Sequence, residues 1–93
     1  MHIILLRAHI DIPGAHSLKE KRRVVKSLKE STVARMNVSV AEVGQHEVWN
    51  RAELAFITVA AESDVVEKRV SKIIHRLETG SDWILLEVKT EKL

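Results

Sequence analysis

The sequence predicts an α+β fold in which four strands and two helices follow one another in the order βαββαβ. Three observations indicate this order: apolar residues alternate in four short segments, they recur at helical spacing in two longer ones, and turn or cap residues separate the segments. With 93 residues, 45% of them hydrophobic and 30% charged, the chain has the size of one small globular unit. We therefore expect a single domain over residues 1–93.

The first strand and the first helix are predicted from alternation and capping. Apolar even-numbered residues alternate with a more polar odd-numbered set over His2–Ile12, and a Pro-Gly pair ends this strand. Ser17 is followed three residues later by Glu20, the capping-box pattern, so a helix is predicted from Leu18 to about Met36. The residues of this helix that should face the core are Leu18, Val24, Val25, Leu28, Thr32 and Met36.

The middle of the chain is predicted to form two strands joined by a loop. Alternation favours a second strand over Asn37–Val43, and a polar loop is expected over Gly44–Ala52. The third strand, Glu53–Ala61, is rich in small and β-branched residues and is apolar on both faces. Such a strand is typical of a central position in a sheet.

A second helix and a fourth strand complete the pattern. Apolar residues recur every three or four positions over Asp64–Thr79, and Gly80 stands where a left-handed helix cap usually falls. Alternation then predicts a strand from Trp83 to about Lys89. Together the elements predict a ferredoxin-like sandwich, with a four-stranded antiparallel sheet that both helices cover on one face.

The second face of this sheet is predicted to be open and partly apolar. A large exposed apolar surface is unfavourable, and pairing with a second copy of the chain would bury it. We therefore expect a homo-oligomer. The side chains expected on this face are Ile3, Leu5, Ile57 or its neighbours, Trp83 and Leu85.

Charge is distributed unevenly along the chain. The net charge is +2, but Ser17–Met36 contains seven Lys or Arg against two Glu, which gives +5, so the remaining residues carry −3. Five of these cations fall within roughly 120° of the helix circumference. A stripe of this kind could contact several phosphates of RNA. A solvated helix face without a partner explains the same pattern equally well. The stripe consists of Lys19, Arg22, Arg23, Lys26 and Lys29.

Lys21 is set apart from the basic stripe because it falls in the middle of the apolar arc of the same helix. Two arrangements would give the charge of Lys21 a favourable environment. In the first, its stem is buried while its ammonium group reaches water past the edge of the sheet. In the second, the ammonium group meets an acid such as Glu42.

The aromatic residues limit the modes of nucleic-acid recognition. The chain has two Trp, one Phe and no Tyr, too few on the middle strands to read single-stranded bases by stacking on the sheet. Trp49 and Arg51, in the predicted loop, offer an exposed platform for a base or a partner side chain. Alternatively, Trp49 folds down as a lid over the core edge.

Several classes of site are not predicted. The chain has no cysteine, which removes disulfides and thiolate metal sites and favours the cytoplasm. Its longest aliphatic run, Ile3–Leu6, is too short for a membrane span. We expect no catalytic residue, metal or cofactor, because no phosphate loop, catalytic triad signature or Asp-rich loop is present. The remaining alternative is an enzyme or ligand site around His16, Lys21 and Glu42, with His46 near it.

Three ordered segments resemble the YlxP-like family, a group of short bacterial proteins classed as a domain of unknown function. The segments are IPGAHSLKEKRR at 12–23, NVSVAEV at 37–43 and WNRAEL at 49–54, and the resemblance covers nearly the whole chain. It implies a ferredoxin-like fold and marks His16, Ser17, Lys21 and Glu42 among the motif residues. Members are often encoded beside translation-initiation and ribosome-maturation factors. The resemblance therefore implies a role near the small ribosomal subunit or its RNA, and it implies no activity.

Overall fold

The computed structural model describes all residues 1–93 and has the predicted element order. The four strands form one antiparallel sheet in the order β2-β3-β1-β4, which confirms the ferredoxin-like α+β fold. Neither helix combines the length and the apolar character that a bilayer-crossing helix requires. The elements are β1 (His2–Asp11), α1 (Leu18–Arg35), β2 (Ser39–Gly44), β3 (Arg51–Ala60), α2 (Ser63–Thr79) and β4 (Ile84–Lys92).

Two strands extend further than the sequence predicted. β3 begins at Arg51 rather than at Glu53, because Arg51 is still paired with Asp11 of β1. β4 continues beyond Lys89 to Lys92, which pairs with Ile4. In both cases a neighbouring strand supplies backbone partners to polar residues whose own sequence pattern does not favour a strand.

The core lies between the helices and one face of the sheet. The even-numbered apolar residues of β1 are all buried, and so are Leu54 and Phe56 of β3. From the helices, Leu28 of α1 and both Ile73 and Leu77 of α2 pack into the same cluster. β3 lies between β2 and β1, which confirms its predicted central position.

The predicted faces of β4 are wrong for Leu85 and Trp83. A bulge in β4 opposite the His9–Ile10 step of β1 inserts one extra residue and changes the alternation. Leu85 therefore pairs with Ile10, which is fully buried, and packs against the core instead of facing outwards. Trp83 precedes the strand and also packs against the core, while its indole Nε1 donates to the Leu77 carbonyl at 2.9 Å.

The predicted left-handed cap at Gly80 is also wrong. Gly80 follows α2 with φ −64° and ψ 140°, an extended conformation that any residue adopts. The glycine is needed for space, since a Cβ atom at this position would overlap the indole ring of Trp83. The turn after α2 and the position of Trp83 thus depend on each other.

Candidate functional site

Helix α1 begins as its capping residues predict. The hydroxyl of Ser17 accepts a hydrogen bond from the Glu20 backbone N–H at 3.1 Å, and the Glu20 carboxylate accepts one from the backbone N–H of His16 at 2.5 Å. Two N–H groups that would otherwise lack acceptors are thereby satisfied. Because the first turn is fixed in this way, the positions of the basic side chains along the helix are fixed with it.

The five residues of the basic stripe lie on the outer surface of α1, as predicted. Lys29 is half-buried and the other four are exposed. Only Lys26 approaches an acid, with its Nζ 3.9 Å from the Glu30 carboxylate, and both groups are exposed. Pairs of this kind contribute little. The other four cations have no carboxylate within 4.0 Å and remain free for an anionic partner.

Lys21 is buried and paired, which confirms the second of its two predicted structures. Its side chain has 0% exposure, and its Nζ lies 2.9 Å from Oε2 of Glu42. This contact is a charge pair rather than a directional hydrogen bond, since Oε2 accepts none. The ammonium group donates instead to the backbone carbonyls of Gln45 at 2.8 Å, His46 at 3.2 Å and Arg51 at 3.2 Å.

These contacts fix the loop between β2 and β3 against the first half of α1. Gln45 has φ 64°, a left-handed conformation that is uncommon for residues other than glycine, and its carbonyl also accepts from the Val48 N–H. A buried ammonium group that meets three carbonyls and a carboxylate satisfies most of its hydrogen-bonding capacity. Lys21 therefore acts as a structural clamp on the loop that carries Trp49.

Trp49 and Arg51 have different surroundings. Trp49 is 51% exposed, so it is not the lid of the core edge that one interpretation predicted. The Arg51 guanidinium is half exposed, but its Nε lies 3.4 Å from the Asp11 carboxylate on the open face of the sheet. Trp49 is thus available for contact, whereas Arg51 is partly engaged within the fold.

The residues of the alternative enzyme or ligand site make separate contacts. His46 Nε2 lies 3.2 Å from the Glu42 backbone carbonyl, and the carboxylate of Glu42 faces Lys21. His16 is exposed and interacts through its backbone. No group of three or more His, Cys, Asp or Glu side chains is placed to hold a metal ion.

The open face of the sheet carries an apolar patch at one end. Ile3 is paired with Val59 and Leu5 with Ile57, so four apolar side chains form one cluster across β1 and β3. Ile57 is 41% and Val59 is 45% exposed. Of the residues predicted for this face, Ile3, Leu5 and Ile57 therefore lie on it, and Trp83 and Leu85 do not.

A second group of basic residues was not predicted from the sequence. It lines a groove of about 550 Å³ beside α2 and the end of α1. The two contributing segments lie more than thirty positions apart in the sequence, so no local pattern indicates that they meet. The basic residues of the groove are Arg35, Lys72, His75 and Arg76.

Comparison with known proteins agrees with the resemblance of the three segments. A family model described as "Protein of unknown function (DUF503)" matches residues 3–90. The uncharacterized protein YlxP of Bacillus subtilis (strain 168) is 32% identical over 81 residues, a match that covers 77% of this chain and 88% of the relative. The chain belongs to the YlxP-like DUF503 family.

Proposed function

We propose that the protein is a non-enzymatic RNA-binding domain that contacts the phosphate backbone through the basic stripe of α1. The observation that carries the proposal is the lack of acidic partners around Lys19, Arg22, Arg23 and Lys29. From Lys19 to Lys29 the stripe spans about 15 Å of helix, enough for several consecutive phosphates. The proposal places the protein in the cytoplasm.

The proposed mode of recognition is contact with backbone phosphates and not with base edges. Phe56 is buried, Trp83 packs against the core, and Trp49 alone among the aromatic residues is largely exposed. One indole supplies one stacking contact at most, whereas phosphate contacts supply most of the affinity in sequence-independent binding. We therefore expect little dependence on RNA sequence and strong dependence on salt.

Charge reversal tests the proposal directly. The double variant Arg22→Glu with Arg23→Glu is compared with a control double variant, Lys68→Glu with Lys89→Glu, which changes the net charge equally at exposed positions away from the stripe. Fluorescence anisotropy of a short labelled RNA measures the affinity at low salt. The stripe variant should bind more than about tenfold more weakly than the wild type, and the control within about threefold of it. Equal losses in the two variants would contradict the proposal.

The proposed RNA is that of the small ribosomal subunit, as the family resemblance implies. A pull-down from lysate with and without nuclease, at two salt concentrations, distinguishes an RNA partner from a protein partner. If both nuclease and high salt abolish the capture of the partner, the result supports RNA as the partner. Capture that survives nuclease would indicate a protein partner instead.

A second candidate function, self-association, is favoured by the apolar patch on the open sheet face. Its members Ile3, Leu5, Ile57 and Val59 are neighbours through the β1–β3 register, and a second copy would remove them from water. Measurement of the molar mass in solution, over a range of protein concentrations, tests self-association. Ile57→Lys should reduce association, and Lys89→Gln, on the same face outside the patch, should not. A monomer at high concentration would exclude it.

A further inference from the structure

The groove beside α2 and the end of α1 is lined by several basic side chains. Arg35 comes from the last turn of α1, and Lys72 and Arg76 come from α2. No acidic side chain lines the groove, and none of these three cations has a carboxylate within 4.0 Å. Like charges are thus held together without a counter-ion from the protein.

Arg76 is the least satisfied member of this group. One of its terminal nitrogens donates to the Ser31 hydroxyl of α1, but its Nε is buried and has no hydrogen-bond partner. Burial first, and the charge of Arg35 second, lower the pKa of Arg76 from its usual value. A buried donor without an acceptor is costly, and the cost rises when a like charge is close.

Helix stability explains only part of the arrangement. A cation in the last turn of a helix is favourable beside the carbonyl end of the macrodipole, which accounts for the presence of Arg35 in α1 and of Arg76 in α2. It does not account for the direction of Arg76, which extends from α2 to a hydroxyl of α1 and leaves Nε without an acceptor. An oxyanion in the groove would accept from the part of the guanidinium that lines it and would neutralise the neighbouring charges.

We propose that this groove is a binding site for a phosphate group, with Arg76 as the central ligand and Arg35 and Lys72 beside it. A guanidinium presents a fixed fork of donors that matches phosphate oxygens, and Lys72 adds an exposed ammonium group. The nearest source is the RNA of the proposed function, on which this choice of source rests. The site itself is equally suited to a free phosphate.

The groove adjoins the basic stripe at Ser31. This residue lines a shallow hollow together with Arg23 and Lys26 of the stripe and with Glu30, and its hydroxyl accepts from Arg76 in the groove. An RNA strand that contacted the stripe and continued from α1 towards α2 would meet Arg76. The groove would add phosphate contacts that α1 alone does not provide.

Nuclear magnetic resonance of the arginine Nε–H groups tests the site without RNA. The 93-residue protein is titrated with inorganic phosphate, and separately with chloride at matched ionic strength. The Nε–H signal of Arg76 should shift saturably with phosphate only. The Nε–H signal of Arg69 should not shift. This residue is on the same helix, but its Nη1 donates to the Thr58 hydroxyl and the Val59 carbonyl. Equal shifts in chloride, or no saturable shift of Arg76, would overturn the proposed site.

Two variants and a matched control test which side chains of the groove bind phosphate. Lys72→Gln leaves the core intact because Lys72 is exposed, and Arg76→Lys keeps the charge but lacks Nε; Lys68→Gln removes one exposed charge from α2 outside the groove. Each groove variant should weaken phosphate binding about threefold or more relative to Lys68→Gln.

RNA binding by the same variants separates the two proposals. A parallel loss of RNA affinity assigns the site to RNA phosphates, whereas unchanged RNA affinity with weaker phosphate binding assigns it to a free phosphate or a small phosphorylated molecule. If the wild type binds phosphate but no RNA, the proposed function fails and the site stands. If RNA binds but phosphate does not shift Arg76, the site is overturned and the proposed function stands.

Discussion

Lys21 Nζ lies 2.9 Å from Oε2 of Glu42, and this pair joins the buried side of α1 to β2. The same ammonium group holds three backbone carbonyls of the following loop. One cation of the basic segment is therefore used inside the fold, while its neighbours on the helix face water. The pair fixes the loop that carries Trp49 against the first half of α1.

Replacement of Lys21 should destabilise the protein strongly. Lys21→Met leaves the Glu42 carboxylate without its cation and three carbonyls without their donor, which should lower the free energy of unfolding by about 3 kcal/mol. Urea denaturation followed by circular dichroism measures the change. Lys19→Met, which removes an exposed cation from the same turn of the helix, is the matched control and should have little effect.

A double variant separates the charge pair from simple packing. Lys21→Met with Glu42→Leu removes both charges, and it should be more stable than Lys21→Met alone because no unpaired carboxylate remains. If Lys21→Met and Lys19→Met unfold at the same urea concentration, the structural role of the Lys21–Glu42 pair is wrong.

The two glycines that flank helices should respond oppositely to alanine. Gly80→Ala places a Cβ against the Trp83 ring and should cost about 2 kcal/mol of stability. Gly14→Ala meets no atom within 4 Å, and neither position has a positive φ. Gly14→Ala should therefore stabilise the fold by about 0.5 kcal/mol, through the lower entropy of the unfolded chain. Thermal unfolding of both variants measures the difference, and a Gly80→Ala protein as stable as Gly14→Ala would refute the packing described.

The two tryptophans should be distinguishable by fluorescence. Trp83→Phe leaves Trp49 as the only emitter, and this exposed indole should emit at longer wavelength and be quenched readily by acrylamide. Trp49→Phe leaves Trp83, which packs against the core, so its emission should be at shorter wavelength and better protected. Loss of the bond from Trp83 to the Leu77 carbonyl should also cost about 1 kcal/mol. Equal quenching of the two variants would contradict these environments.

Local sequence patterns predicted most of the fold and part of the site. Capping residues placed the start of α1, and apolar spacing placed Lys21 on its buried side, where a cation needs an acid such as Glu42 as its partner. The exposed stripe follows from the same helical geometry. These features depend on residues close together in the chain or on one regular period.

Features that depend on pairing between distant segments were missed. The bulge opposite His9 and Ile10 changes the face of Leu85, and no residue type in β4 marks it. The close packing of Trp83 on Gly80 replaced an expected left-handed cap. The contact between Ser31 and Arg76 exists only once the two helices lie side by side. Each feature is decided by tertiary structure, which periodicity does not describe.

The salt dependence of RNA binding tests the central claim, phosphate contact through α1, most directly. The logarithm of the binding constant is measured against the logarithm of salt concentration for the wild type and for the triple variant Arg22→Gln, Arg23→Gln and Lys26→Gln. Each lost phosphate contact lowers the steepness of this plot by about 0.7 for single strands, so three lost contacts should lower it by about 2. A wild type that does not bind RNA at low salt, or a triple variant with the wild-type slope, would contradict the account.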